Sequence, residues 1–133
     1  MKVVLDSSVL IAAHVTRAGA CAELYEEILQ RHDLVLSRQI LDEVARGLRS
    51  RFLIGDDLIE QALAAMTRAA QLVEPSPATA EARRIGYDSA DRRTAAAARA
   101  DVLVTVADIP PDPASCEATA VIRPVEFWKH AHA

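Results

Sequence analysis

The chain has 133 residues, 51% of them hydrophobic and 26% charged, with a formal net charge of −4. That length suits one domain with its own core and is short for two, and no apolar run approaches the roughly 20 residues of a membrane-spanning helix. The acidic balance gives no general attraction to nucleic acid, which leaves any such role to local patches.

Residues 2–6 (KVVLD) read as a short buried strand, because the run is apolar and β-branched. It begins at once, with no apolar leader and cleavage site before it, so no signal peptide and a cytoplasmic location are expected. Residues 7–15 read as a helix with Ser7 or Ser8 near its start. After the break at 17–19, residues 20–32 form a second helix with Leu24, Ile28 and Leu29 on one face. Residues 33–37 (DLVLS) make a second strand. The helix over 37–52 carries the stripe Ile40, Leu41, Val44 and Leu48. The helix over 55–70 has Asp56 or Asp57 near its N-cap and turns Leu58, Ile59, Ala62, Leu63 and Met66 inward. Residues 71–75 fit a third strand and 75–80 a loop. An alanine-rich helix follows over 89–100, then the clearest strand, 101–105 (DVLVT). A Pro-rich loop over 108–118, a strand within 119–124 and a short helix over 125–131 complete the chain.

Short apolar strands alternating with amphipathic helices define an α/β domain with a mostly parallel sheet. In such domains ligands bind beyond the carboxyl ends of the strands, where the strand order reverses. Asp6 ends the first strand and Asp108 follows the strand 101–105 by three residues. If those strands are neighbours, two carboxylates flank one crevice. Glu43 falls beside Ile40 at the border of the buried stripe of its helix, whereas Asp42 faces water. Asp88 and Asp91 precede or open the alanine-rich helix, where acids suit the helix dipole and flanking arginines suit a phosphate.

Other features point nowhere in particular. Cys21 and Cys116 make no CxxC pair and have no histidine at zinc spacing, so they read as small thiols in a reducing compartment. His14 reads as a helix-edge residue, and Phe127 and Trp128 as anchors of the last helix. No catalytic Ser/His/Asp order or phosphate loop is present; the acidic pair and the central strand ending in aspartate of a receiver domain are missing, and the only lysines are Lys2 and Lys129.

The segments together resemble the PIN-domain family, in particular the single-domain VapC-like toxin ribonucleases of bacterial toxin–antitoxin systems. "VVLDSSVLIAA" is similar to the family's opening strand, aspartate and hydroxyl residues. "LVLSRQILDEVARGLRSRF" resembles its strand–serine–helix segment, with Glu43 as the helix glutamate. "SADRRTAAAARADVLVT" is similar to its aspartate, Ala-rich helix and strand ending in Val-Thr, and "AVIRPVEFWKH" to its closing strand and helix. Two positions depart from the pattern. The family usually follows Val-Thr with Gly-Asp; here Val106 and Ala107 precede Asp108, a displaced fourth acid. Asp91 matches the local pattern of the third acid, and Asp88 is the alternative that restores the usual helix length.

The resemblance implies a single PIN-like domain over 1–133, a three-layer α/β/α sandwich around a mostly parallel sheet of four to five short strands. It implies Mg²⁺ or Mn²⁺ held by Asp6, Glu43 and Asp91, with Asp108, and oxygen ligands suit those ions. Ser7, Ser8 and Thr105 would bond the carboxylates or their waters, and Arg92 and Arg93 would hold RNA phosphates. The implied reaction is endonucleolytic RNA cleavage leaving 5′-phosphate and 3′-hydroxyl ends. The implied partners are RNA, a cognate antitoxin and a second copy of the chain, with no membrane. The alternative is a PIN fold whose metal site has decayed into a binding or regulatory module, and Val106–Ala107 is the feature that favours it.

Overall fold

The computed structural model describes residues 1–16, 18–78, 80–85, 89–106 and 119–131. The chain runs β1 (Lys2–Leu5), α1 (Ser7–Thr16), α2 (Ala20–Arg31), β2 (Asp33–Leu36), α3 (Arg38–Phe52), α4 (Asp56–Ala69), β3 (Gln71–Leu72), α5 (Ala80–Ile85), α6 (Ala90–Ala98), β4 (Val102–Val104), β5 (Ala120–Ile122) and α7 (Pro124–Ala131). The strands form one sheet in the order β3-β2-β1-β4-β5, and every pair is parallel. Val3 pairs with Leu34 on one side and Val102 on the other, which makes β1 the centre of the sheet.

The chain moves outward from β1 to β2 and β3, then returns past β1 to β4 and β5. Right-handed crossovers in opposite directions place their helices on opposite faces. Consistently, α1 packs on α2 and α3, whereas α6 packs on β1, β2 and β4. Val3, Val4, Leu5, Val35, Leu36 and the whole of β4 are buried, as strands covered on both faces must be. The small side chains Ala90, Ala95 and Ala98 let α6 lie close on its face of the sheet. The result is a three-layer α/β/α sandwich.

The stripe of α3 is buried at all four expected positions. Two other stripes are narrower than their spacing suggests. Leu29 is 39% exposed and Leu58 56% exposed, and the fully buried positions are Leu24 and Ile28 in α2 and Ile59 and Met66 in α4. Gly55 is the N-cap residue of α4, with Asp56 and Asp57 inside its first turn. The short helix α5 lies where the sequence carries no clear periodicity. Phe127 is fully buried and meets the rings of His32 and Trp128 edge-on, at 5.4 and 5.9 Å, so α7 is anchored through it. Among the described residues no helix is long and apolar enough to cross a membrane.

Candidate metal centre

The centre of the site is the seam between β1 and β4, where the strand order reverses. Asp6 follows β1 directly, and its backbone N–H extends the ladder by donating to the Val104 carbonyl at 3.1 Å. Its own carbonyl accepts from Leu10 N–H at 3.2 Å, so it also starts α1. The Asp6 carboxylate caps that helix: Oδ1 accepts from Val9 N–H at 2.9 Å and from Ser8 Oγ at 2.6 Å. Oδ2 accepts from Thr105 Oγ1 on the neighbouring strand end. Thr105 is itself set by β5, since its N–H donates to the Ile122 carbonyl at 2.9 Å. Asp6 is therefore a helix cap and a member of the crevice at once. Three of the roughly four lone-pair sites of its carboxylate are engaged, all by protein donors.

Asp6 is only 7% exposed. Burial pushes its carboxyl above the ordinary value of 3.8; the bonds from Ser8, Thr105 and Val9 pull it back, and the charge of Asp91 pushes it up again. A carboxylate with three hydrogen bonds normally titrates low. Its upward shift follows first from burial, with the charge of Asp91 adding to it.

Asp91 lies half-buried in the first turn of α6, and this helix brings its charge to Asp6 from the opposite layer. Glu43 is half-buried in α3 and is not among the groups that perturb Asp6. Among the described residues no three His, Cys, Asp or Glu side chains stand close enough to hold one ion. The described acids thus form no ready-made three-carboxylate cradle. Asp88 and Asp108 lie outside the described residues. Ser8 is the serine that donates to Asp6, while Ser7 opens α1 beside it. Val106, where the family pattern has glycine, is exposed, and its carbonyl accepts from Arg123 Nη1 at 3.2 Å. Arg92 and Arg93 are half-buried next to Asp91, and the Arg93 carbonyl accepts from Ser76 N–H at 3.0 Å, tying α6 to the segment after β3.

Two features of the neighbourhood lie outside the sequence expectations. Cys21, in the first turn of α2, has its thiol pushed up by burial and by the charge of Asp6. Packing of α1 against α2 brings it there, and nothing local announces it. Ser37 and Thr94 are both fully buried and share a hydrogen bond of 2.8 Å between β2's end and α6. Here a signal exists: Thr94 lies four residues from both Ala90 and Ala98, inside the buried stripe of an alanine helix.

A separate cavity of about 550 Å³ lies between α1, α2, α3 and α4, lined by His14, Tyr25, Leu48, Ile54 and Leu58 among others. At roughly 1.5 Å per residue, His14 is about 12 Å along α1 from Asp6, so this cavity is not the acidic crevice. His14 Nδ1 lies 2.8 Å from the Leu10 carbonyl. A carbonyl only accepts, so that nitrogen carries the proton and His14 serves the helix.

A parallel α/β domain with an acidic pair at its switch point is the class that fold and site define. More narrowly, the PIN domain family model matches residues 2–106, and the chain belongs to that family. Among solved structures it is similar to the complex described as VapBC2 from Rickettsia felis bound to a DNA fragment from their promoter, with a TM-score of 0.62 at 13% identity. That likeness covers 92% of this chain and 98% of the other, and at such identity it bears on the fold. No curated protein matches the sequence.

Proposed function

We propose that the chain is a metal-dependent endoribonuclease, the toxin of a bacterial toxin–antitoxin pair, working in the cytoplasm. The observation that carries this is a buried Asp6, bonded by Ser8, Val9 and Thr105 at the switch point of a PIN fold, with the charge of Asp91 acting on it. Two carboxylates with otherwise water-filled coordination suit Mg²⁺ or Mn²⁺, ions that keep several waters and take one or two protein acids plus substrate phosphate. Asp6 and Asp91 would hold the ion, with Glu43 as a further ligand, and the bound ion would supply an activated water and neutralise charge developing on phosphorus.

The chain's own groups have distinct tasks. Ser8, Val9 and Thr105 fix the orientation of the Asp6 carboxylate, so only one face of it is offered to a ligand. Asp91 approaches from the other layer, so ligation draws α6 and β1 together. Arg92 and Arg93 flank Asp91 and hold the phosphates on either side of the cleaved bond, contacts that position a strand without reading its sequence. A cognate antitoxin as partner is supported by the described complex that the fold resembles. A homodimer is supported by Phe52, Leu53 and Leu58, which expose apolar side chains at the corner between α3 and α4.

A second reading, a PIN module without nuclease activity, is favoured by the lack of a three-acid group among the described residues and by Val106. Titration with Mn²⁺ and RNA cleavage by wild type, Asp6→Asn and Asp91→Asn separate the two. The nuclease reading expects Mn²⁺ binding and cleavage that both substitutions abolish. Absence of binding at millimolar Mn²⁺, with equal silence of all three proteins on varied RNAs, establishes the module instead.

A further inference from the structure

The cavity between α1, α2, α3 and α4 is separate from the acidic crevice and takes no part in the metal reading. Packed helices normally leave no void larger than a water molecule. Here small side chains line the gap from three of the four helices, Ala13 on α1, Ala22 on α2 and Ala62 on α4, and about 550 Å³ stays open. Small-molecule sites measure roughly 300–1,000 Å³. Leu48, Ile54 and Leu58 make the walls apolar, and the exposure of Leu58 opens them to solvent.

The polar part of the lining is one-sided. His14 donates from Nδ1 to the Leu10 carbonyl, which leaves Nε2 as an acceptor. Tyr25 packs edge-on against the His14 ring, with centroids 5.1 Å apart, and its hydroxyl makes no hydrogen bond to the described residues. Burial first, and then the charge of Glu26, hold that hydroxyl above its ordinary value. Glu26 also lines the cavity, and its Oε2 accepts from Gln30 Nε2 at 3.4 Å. Among the described residues no lysine or arginine lines the space, so Glu26 sets its charge. An acceptor nitrogen, an aromatic ring and a carboxylate together favour a cation with N–H groups to give. The apolar walls require that this cation carry a body to bury.

We propose that this cavity binds a small organic cation, a primary amine on an aromatic ring, with the ring against the apolar walls and the ammonium group beside Glu26 and Tyr25. The proposal stands apart from metal binding and from RNA cleavage.

Calorimetric titration of the full chain with phenethylamine, 2-phenylethanol and phenylacetate tests it, since the three probes share one body and differ in charge. The amine should bind roughly fivefold more tightly than the alcohol, the scale of one exposed charge pair, and the acid more weakly than either. Glu26→Gln should lower the affinity of the amine to that of the alcohol and leave the alcohol unchanged. Ala62→Leu fills the space from α4 and should abolish binding of both. Ala22→Leu fills it from α2 and replaces that variant if Ala62→Leu does not fold. Equal affinity for amine and acid, an amine affinity untouched by Glu26→Gln, or binding that survives in a folded filled variant overturns the proposal. So does a wild-type chain that takes up none of the three probes at millimolar concentration.

Discussion

Thr105 Oγ1 donates a hydrogen bond to Asp6 Oδ2 across the seam between β4 and β1, joining residues 99 apart in the chain. The bond favours the charged form of a carboxylate that burial disfavours. Thr105→Val removes it at nearly constant shape. Hydrogen bonds to charged groups contribute about 1.5–3 kcal/mol, so a loss of that order is expected at neutral pH. The loss should shrink toward pH 4 as Asp6 takes up a proton. Urea unfolding at both pH values checks it, and a loss that does not change with pH would show that the charge on Asp6 plays no part.

Asp6 itself should be a liability in the metal-free protein. Its folded-state pKa is raised above the ordinary 3.8, so its neutral form binds its proton more tightly when folded. Such a group contributes most to stability below the unfolded value, and that contribution is lost as pH rises through the folded one. Asparagine caps helices as well as aspartate does and carries no charge. Metal-free Asp6→Asn should therefore melt above wild type at pH 7, with the difference closing as pH falls toward 4. Added Mn²⁺ should raise the melting temperature of wild type alone. Thermal melts with and without metal decide this, and a variant that melts below wild type at pH 7 contradicts the cause given for the shift.

Gly47 sets how close α3 comes to α1. A Cβ at this position would collide with Ile11 Cδ1, the free end of a buried side chain. Gly47→Ala gains about 1 kcal/mol of helix propensity, set against about 1–3 kcal/mol of overpacking. A net loss of about 1 kcal/mol is expected from these opposing effects. Ile11→Val removes the obstructing carbon, and the double variant should recover most of that loss. Denaturant midpoints of the two single variants and the double variant form the cycle. Additive losses would show that this collision is not what limits the approach of the two helices.

Arg92 and Arg93 should contribute to RNA affinity through charge alone. Replacing each with glutamine should weaken binding of a catalytically silent Asp6→Asn chain alike across RNA sequences. It should also flatten the dependence of log affinity on log salt by roughly 0.7 for each phosphate that is no longer neutralised. Filter binding between low and physiological salt measures this. An unchanged slope would remove these arginines from the RNA path and leave them to the packing of α6.

The order of strands and helices, the α3 stripe and the place of Asp6 at the end of β1 follow from the sequence. Each depends on neighbours within a few residues: an apolar β-branched run, a period near 3.6, or a carboxylate three positions before the N–H it caps. The helix α5 and the exposure of Leu29 and Leu58 escaped, because a short helix has little periodicity and the width of a buried stripe depends on what packs against it. The site itself was legible only as a set of acids at strand and helix ends. Their pairing was not, since Asp6 meets Thr105 only because β4 returns to lie beside β1, and Asp91 reaches Asp6 only because the crossover places α6 over that seam. The same holds for Ser37 and Thr94, which are 57 residues apart. Local chemistry determined which groups could act, and the order of strands in the sheet decided which of them meet, because contacts between distant segments depend on chain reversal, which no short stretch of residues encodes.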